Sequence, residues 1–137
     1  MIEDGQIYYI NFNGNQGREI NNIHLGVIYN LPTLLDVVFC IPLTSPKQKH
    51  FKTEKDFNKR NYRATKHFSW QYLKQTDSIA LLDQIRIIST KRLINSYKDK
   101  NNITIKLNEQ TQSILKSKII KYISIILYKN NKNKKES

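Results

Sequence analysis

The sequence is poor in the residues that build covalent and metal-bound scaffolds, with one cysteine among its 137 residues. Cys40 has no cysteine partner in the chain, which excludes an internal disulfide and a thiolate metal site. The three histidines, His24, His50 and His67, do not follow zinc-ligand spacing, and no glycine-rich phosphate loop precedes a predicted helix. We therefore expect no metal ion and no other cofactor.

Long apolar runs are also missing. The apolar segment 122–128 has seven residues and lies between lysines, whereas a helix needs roughly 20 apolar residues to cross a bilayer. The N-terminus, MIEDGQ, is acidic and lacks the apolar region of a signal peptide. The sequence therefore predicts a cytoplasmic protein with no membrane partner.

Acidic residues are scarce where basic residues are dense, and the formal net charge is +12. Residues 1–46 contain one basic residue, Arg18, and four acidic residues, for a net charge of −3. Residues 47–137 contain 22 basic and 7 acidic residues, for a net charge of +15. This asymmetry favours a polyanionic partner, either nucleic acid or an acidic protein.

The chain length and the strand patterns predict a single domain, residues 1–128, of mainly β structure. Alternating or continuous apolar patterns predict strands over 6–12, 23–30, 37–43, 63–70, 78–89 and 102–107. Residues 45–62 read as an exposed basic loop. Short strands followed by a terminal helix indicate a small, strongly bent sheet or barrel.

The period changes at Asn108, which is a predicted helix N-cap. Apolar residues then recur on one face of an amphipathic helix: Leu115, Ile119, Ile120, Ile123, Ile126 and Leu127. We expect this stripe to pack on the sheet, with the binding of a partner as the alternative. Residues 129–137 have no apolar anchor and are predicted to form a disordered basic tail.

The segment IPLTSPKQKH (41–50) joins the end of a predicted buried strand to a cluster of cations. Hydroxyls from Thr44 and Ser45 at the edge of a core, beside a basic loop, suit the binding of a phosphodiester. Cleavage of RNA needs little more, because the substrate supplies its own nucleophile, the 2′-hydroxyl. His24, inside the second predicted strand, is a candidate for proton transfer, with a structural role as the alternative.

Four segments in order resemble the motifs of the MazF/PemK-type toxins: GQIYYINF (5–12), GREINNIH (17–24), IPLTS (41–45) and SIALLDQIRIISTKRL (78–93). The resemblance implies an SH3-like small barrel with a C-terminal helix. It also implies a homodimer that cuts single-stranded RNA without metal and is held off by an antitoxin. The apolar run 79–88, with Trp70 and Tyr72, offers a candidate dimer surface.

The resemblance also implies roles for individual residues. The family threonine matches Thr44, whereas the family arginine falls on His24, so Arg18 is a candidate for the missing charge. We predict a catalytic group and an RNA-binding group. The catalytic group is His24, Thr44, Arg18 and Ser45. The RNA-binding group is Asn13, Gln16, Lys47, Lys49, His50, Lys52 and Arg86.

Three alternatives remain open at the level of sequence. The segment PLTSPKQKH also resembles ToxN/AbiQ toxins, which implies an RNA antitoxin, although a protein antitoxin is favoured. A toxin of the same fold that binds DNA gyrase is a second alternative. A nucleic-acid-binding barrel that has lost catalysis is a third, because the family arginine is missing.

Overall fold

The computed structural model describes residues 2–14, 22–32, 35–46 and 69–136, with the backbone alone given for 129–136. The described regular structure consists of seven strands, a long helix and two short 3-10 helices. The strands are β1 (Gln6–Asn11), β2 (Ile23–Asn30), β3 (Val37–Thr44), β4 (Trp70–Leu73), β5 (Ser78–Leu81), β6 (Arg86–Ser89) and β7 (Leu93–Ser96). The helix α1 is Glu109–Glu136, and the 3-10 helices are Leu82–Gln84 and Thr90–Arg92. The predicted fold class, mainly β with a C-terminal helix, is confirmed.

The sheet is antiparallel in its described pairings, and β3 is the strand around which it bends. The strand order is β4-β5-β3-β2-β1-β7, and β6 also pairs with β3. One edge of β3 pairs with β2. Its other edge pairs with β6 through 37–40 and then with β5 through 43–44. The change of partner along a single strand agrees with the strongly bent sheet that the sequence predicts.

Alternate residues of the central strands are buried in two different cores. Val27 and Ile41 belong to a core that includes Leu115 of α1. Ile28 and Cys40, on the other face of the same strands, belong to a second core. Because successive side chains of a strand point to opposite faces, the second core lies across the sheet from α1. We call this face of the sheet the second-core face.

The start of α1 is as predicted, because the amide of Thr111 donates to Oδ1 of Asn108 at 2.8 Å. The apolar stripe of α1 packs on the sheet only in part. Leu115 is fully buried and Ile119 packs against the first core, but the rest of the stripe is exposed: Ile120, Ile123, Ile126 and Leu127. The expectation that the whole stripe packs on the sheet is therefore wrong. Ile119 and Tyr122 pack against the first core at the same height on the helix as the exposed Ile120 and Ile123, so the side of the helix decides which residues are buried.

The segment 78–89 forms two strands, where the sequence predicts one. The 3-10 helix Leu82–Gln84 separates β5 from β6. Leu82 is buried in the first core and Ile88 in the second. The break falls at the polar pair Asp83 and Gln84, of which Asp83 is exposed.

The other differences lie near the C-terminal strands. Segment 102–107 forms isolated bridges at Thr104 and Lys106 where a full strand is predicted, and β7 has no counterpart in the prediction. In the predicted strand 63–70, residues 63–68 lie outside the described residues, and β4 begins at Trp70. The helix α1 continues through Glu136, so the backbone is helical over most of the segment whose composition predicts disorder.

The apolar run at 79–88, which the sequence offers as a candidate dimer surface, is mostly buried within the chain. Ile79, Ala80 and Leu82 are buried within the chain, and so is Ile88. Ile87 is 58% exposed.

The described helices include none that is both long enough and apolar enough to cross a membrane.

Candidate functional site

His24 and Thr44 lie at the same end of the β2–β3 pair. The described pairing of β2 with β3 ends at Gly26 opposite Pro42. His24 and Thr44 each lie two residues beyond this last described pair, where His24 pairs with Ile10 of β1 and Thr44 with Ile79 of β5. The two predicted site residues therefore lie at the same end of the two strands, beyond their direct pairing.

The two side chains also belong to the same face of the sheet. Strand alternation places His24 with Ile28, and Thr44 with Cys40, on the second-core face. Both His24 and Thr44 are half-buried. They therefore stand where the second core meets solvent, partly shielded from water and still reachable by a ligand.

Gly26 leaves room for two side chains of the second core near this end of the sheet. A Cβ atom at Gly26 would lie 2.5 Å from Cδ1 of Ile10 and 2.9 Å from Sγ of Cys40. Real Cβ atoms do not make contacts this short, so a side chain here would require Ile10 and Cys40 to shift.

Arg86 joins the site from β6, where it pairs opposite Cys40. Its guanidinium lies over the ring of Phe12, 5.6 Å from the centroid. Nε of Arg86 donates to the carbonyl oxygen of Gln84 at 3.2 Å, and Nη2 donates to its Oε1 at 3.4 Å. A half-buried cation is thereby held on the second-core face, the face that carries His24 and Thr44.

Cys40 lies beneath this cation and is buried. Burial raises the pKa of the Cys40 thiol to about 12, and the positive charge of Arg86 offsets part of that effect. The thiol is therefore neutral at physiological pH and is not a nucleophile.

The other predicted site residues divide into two sets. Asn13 is exposed just after β1, where its amide donates to Oδ1 of Asn11 at 2.9 Å, and Ser45 is exposed just after β3. The remaining predicted residues lie outside the described residues: Gln16, Arg18, Lys47, Lys49, His50 and Lys52.

Sequence reasoning missed one residue that organises this end of the sheet. Nη1 of Arg92 donates to the carbonyl oxygens of Asn11 at 2.9 Å and of Asn13 at 3.0 Å. The contact holds the chain as it leaves β1. Arg92 stands within the segment STKRL that carried the family resemblance, but spacing alone assigned it no role.

The described residues contain no group of three or more His, Cys, Asp or Glu side chains placed to hold a metal ion.

The family model described as the PemK-like, MazF-like toxin of type II toxin–antitoxin systems matches residues 3–123 of the chain. None of the curated proteins compared with the chain matches it.

Proposed function

The chain belongs to the family of PemK-like, MazF-like toxins of type II toxin–antitoxin systems, and from this premise we propose that it is an endoribonuclease. Its substrate is single-stranded RNA, which it cleaves without a metal ion. A type II system pairs its toxin with a protein antitoxin. A protein antitoxin is therefore preferred to the RNA antitoxin suggested by the ToxN-like segment.

The observation that carries the proposal is that His24 and Thr44 lie on one face, at the same end of β2 and β3. Histidine is a common general acid or base in enzymes, and the threonine hydroxyl is a neutral hydrogen-bond donor. The position that holds arginine in the family motif is thus filled by a group suited to proton transfer.

The reaction requires the movement of two protons. His24 accepts the proton of the 2′-hydroxyl as that oxygen attacks phosphorus, and the bond from phosphorus to the 5′-oxygen breaks. The departing 5′-oxygen takes a proton from a water molecule, and His24 afterwards returns its proton to solvent. The products are a 2′,3′-cyclic phosphate and a 5′-hydroxyl. Thr44 donates a hydrogen bond to a non-bridging oxygen, where negative charge accumulates in the transition state.

A histidine in place of an arginine leaves the site short of permanent positive charge, and Arg86 can supply it. Arginine carries a positive charge, and the contacts of Arg86 with Phe12 and Gln84 limit its motion. We assign it to the phosphate of the bound RNA. Arg18 and the basic segment that begins at Lys47 would supply further positive charge for RNA binding.

The proposal includes a homodimer, because the family resemblance implies one. Light scattering at micromolar concentration should then give about twice the 16.2 kDa mass of the chain. A mass equal to one chain would contradict the dimer and leave the proposed reaction standing.

The reaction is tested by incubating the purified protein with single-stranded RNA in EDTA. Cleavage should leave the two product ends named above, and a single 2′-deoxynucleotide at the cut site should abolish it. RNA that is retained but left intact would indicate a binding protein without catalysis. If RNA is neither bound nor cut, a gyrase supercoiling assay tests the remaining alternative.

A further inference from the structure

Two hydrogen bonds of the Arg86 guanidinium go to one residue, Gln84, which lies two positions earlier in the chain. Nε of Arg86 donates to the main-chain carbonyl oxygen of Gln84 at 3.2 Å, and Nη2 donates to the side-chain Oε1 at 3.4 Å. The guanidinium is planar, and its N–H donors form a fixed fork. Two acceptors on this fork therefore set the direction in which the other N–H bonds point.

The ring of Phe12 supports the same guanidinium without setting its direction. Cζ of Arg86 lies 5.6 Å from the ring centroid, and Phe12 is 1% exposed, so the ring is a fixed part of the second core. A cation–π contact attracts the charge to the face of the ring. It does not fix how the planar group is turned over that face, so the acceptors of Gln84 decide the orientation.

The supported cation lies next to His24. The amide of Phe12 donates to the carbonyl oxygen of Asn22 at 2.8 Å, which continues the pairing of β1 with β2 by one residue. His24 pairs directly with Ile10, so Phe12 is a diagonal neighbour of His24 on the second-core face. Diagonal neighbours of antiparallel strands are about 7 to 8 Å apart, within reach of long side chains. The guanidinium over the Phe12 ring is therefore close to the residue proposed to accept the proton.

The local fold explains why the acceptors of Gln84 are fixed. Gln84 is half-buried and is the last residue of the 3-10 helix Leu82–Gln84. Leu82, at the start of this helix, is 2% exposed and belongs to the first core. Ile85 then returns the chain to an extended conformation, with φ −60° and ψ 135°, and β6 begins at Arg86. A buried leucine before Gln84 and a paired strand after it hold the residue in place.

We infer that Gln84 is a positioning residue, which holds the Arg86 guanidinium in one orientation beside His24. The arginine then meets the phosphate of bound RNA already aligned, before negative charge develops on the non-bridging oxygens. Gln84 itself adds no charge and is assigned no contact with RNA. This role rests on the proposed function, because it is the proposed reaction that assigns Arg86 to a phosphate.

Gln84→Met separates the orientation of Arg86 from its charge. Methionine keeps the length of the side chain and removes the Oε1 acceptor, while the guanidinium stays charged. The kcat for RNA cleavage should fall about tenfold or more, since a misplacement of about 1 Å can cost about 100-fold. KM and the salt dependence of RNA binding should match the wild type, because neutralisation of the phosphate depends on the charge.

Gln71→Met is the matched control. Gln71 is also a half-buried glutamine, and its Nε2 donates to the carbonyl oxygen of Tyr72 at 3.0 Å on β4. This variant should cleave RNA at the wild-type rate.

A double substitution tests whether Gln84 acts through Arg86. When Arg86→Gln is already present, adding Gln84→Met should change kcat by less than about twofold, because the two residues act as one unit. A residue needed only for the fold would lower kcat equally with and without the arginine.

NMR tests the contact in the absence of RNA. The Nε–Hε signal of Arg86 is identified by its loss in Arg86→Gln. Rotation about the Nε–Cζ bond, measured from the exchange of the two Nη nitrogens, should be several-fold slower in the wild type than in Gln84→Met. Circular dichroism checks that the variants fold, and Gln84→Ala replaces Gln84→Met if the latter does not.

Three results would overturn the positioning role: equal rotation in the wild type and Gln84→Met, an unchanged kcat in Gln84→Met, or equal losses of kcat in both arginine backgrounds. If no form of the protein cleaves RNA, the proposed reaction fails, and addition of a short single-stranded RNA in the NMR experiment decides the role of Gln84. A larger shift of the Arg86 signal in the wild type than in Gln84→Met would support it. Shifts of equal size, or none in either protein, would overturn it.

Discussion

Arg92 holds Asn13 in place through a hydrogen bond from its guanidinium Nη1 to the backbone carbonyl oxygen, 3.0 Å long. The same nitrogen donates to the carbonyl oxygen of Asn11 at 2.9 Å. Arg92 ends the 3-10 helix that precedes β7, so the contact ties two distant parts of the chain together. Next to it, β1 pairs with β2 at Ile10 and His24. The contact thus supports the end of the hairpin that carries His24.

Arg92→Ala should destabilise the protein by about 2 kcal/mol, because two backbone carbonyls lose a charged donor. Urea denaturation measures the change in the free energy of unfolding. Lys91→Ala is the control, since Lys91 is the neighbouring cation and is exposed; it should change stability by less than about 0.5 kcal/mol. Equal effects of the two substitutions would show that the contact contributes nothing specific.

His24→Ala should lower the rate of RNA cleavage roughly 100-fold or more, the usual size of a lost acid–base group. His67 lies outside the described residues, so a variant at His67 is not used as the control. A second variant, His24→Gln, is compared with His24→Ala, because glutamine keeps a polar side chain of similar length and cannot carry the proton. A wild-type rate in either variant would assign His24 a structural role and make Arg18 the next residue to test.

Thr44→Val should reduce cleavage by about 100-fold, as expected when one donor to a developing oxyanion is lost. Valine keeps the β-branched shape, so β3 should retain its pairing with β5 at Ile79. Thr104→Val is the control, because the Thr104 hydroxyl is hydrogen-bonded to that of Ser96, away from the site. This variant should cleave RNA at the wild-type rate. Parallel losses in the two variants would indicate damage to the fold.

Arg86→Gln should weaken RNA binding and make its salt dependence shallower by about one phosphate contact. The amide retains some hydrogen bonding, whereas the positive charge on the second-core face is removed. Lys100→Gln removes an equal charge from an exposed turn and should leave the salt slope unchanged. The same slope in both variants would place the phosphate elsewhere on the surface.

The stability of the protein should fall as pH rises from about 9 toward 12. The folded state raises the pKa of Cys40 from 9.0 to about 12, so it favours the neutral thiol. Below pH 9 the neutral Cys40 thiol makes its full contribution to the free energy of unfolding. This contribution is lost as the pH rises toward 12, because the thiol ionises at a lower pH in the unfolded chain than in the folded one. Burial raises the pKa of Tyr29 in the same direction.

Cys40→Ala isolates the contribution of the thiol. Urea denaturation between pH 8 and pH 11 should give a shallower loss of stability in this variant than in the wild type. Native protein at pH 8 should react slowly with a thiol reagent and react at once after unfolding. Rapid reaction of the native protein would contradict the burial of Cys40.

Local patterns predicted the first three strands and the start of the helix closely. The observed strand β2 has the predicted bounds, and β1 and β3 each differ from the prediction by one residue. These strands were predictable because a local pattern of apolar residues marks a strand. Asn108 was recognisable because an N-cap is a local contact. Residue type and motif order likewise predicted Thr44 and His24 as candidate site residues.

The break between β5 and β6 has a local signal that the sequence prediction missed. The polar pair Asp83–Gln84 interrupts the apolar segment where the 3-10 helix lies. Segment 102–107 alternates clearly, yet it forms isolated bridges to Gln6 and Lys98 and not a full strand. Its pairing depends on tertiary contacts that alternation does not specify.

The sequence by itself determined which residues have the chemistry for a phosphodiester site, and it determined the mainly β architecture, because side-chain type and period are local properties. Only the tertiary structure decided that His24, Thr44 and Arg86 share one face, since that depends on the register of three strands. It also decided that Ile120 and Ile123 of α1 are exposed, because the contacts of Leu115 and Ile119 with the first core set which side of the helix faces the sheet.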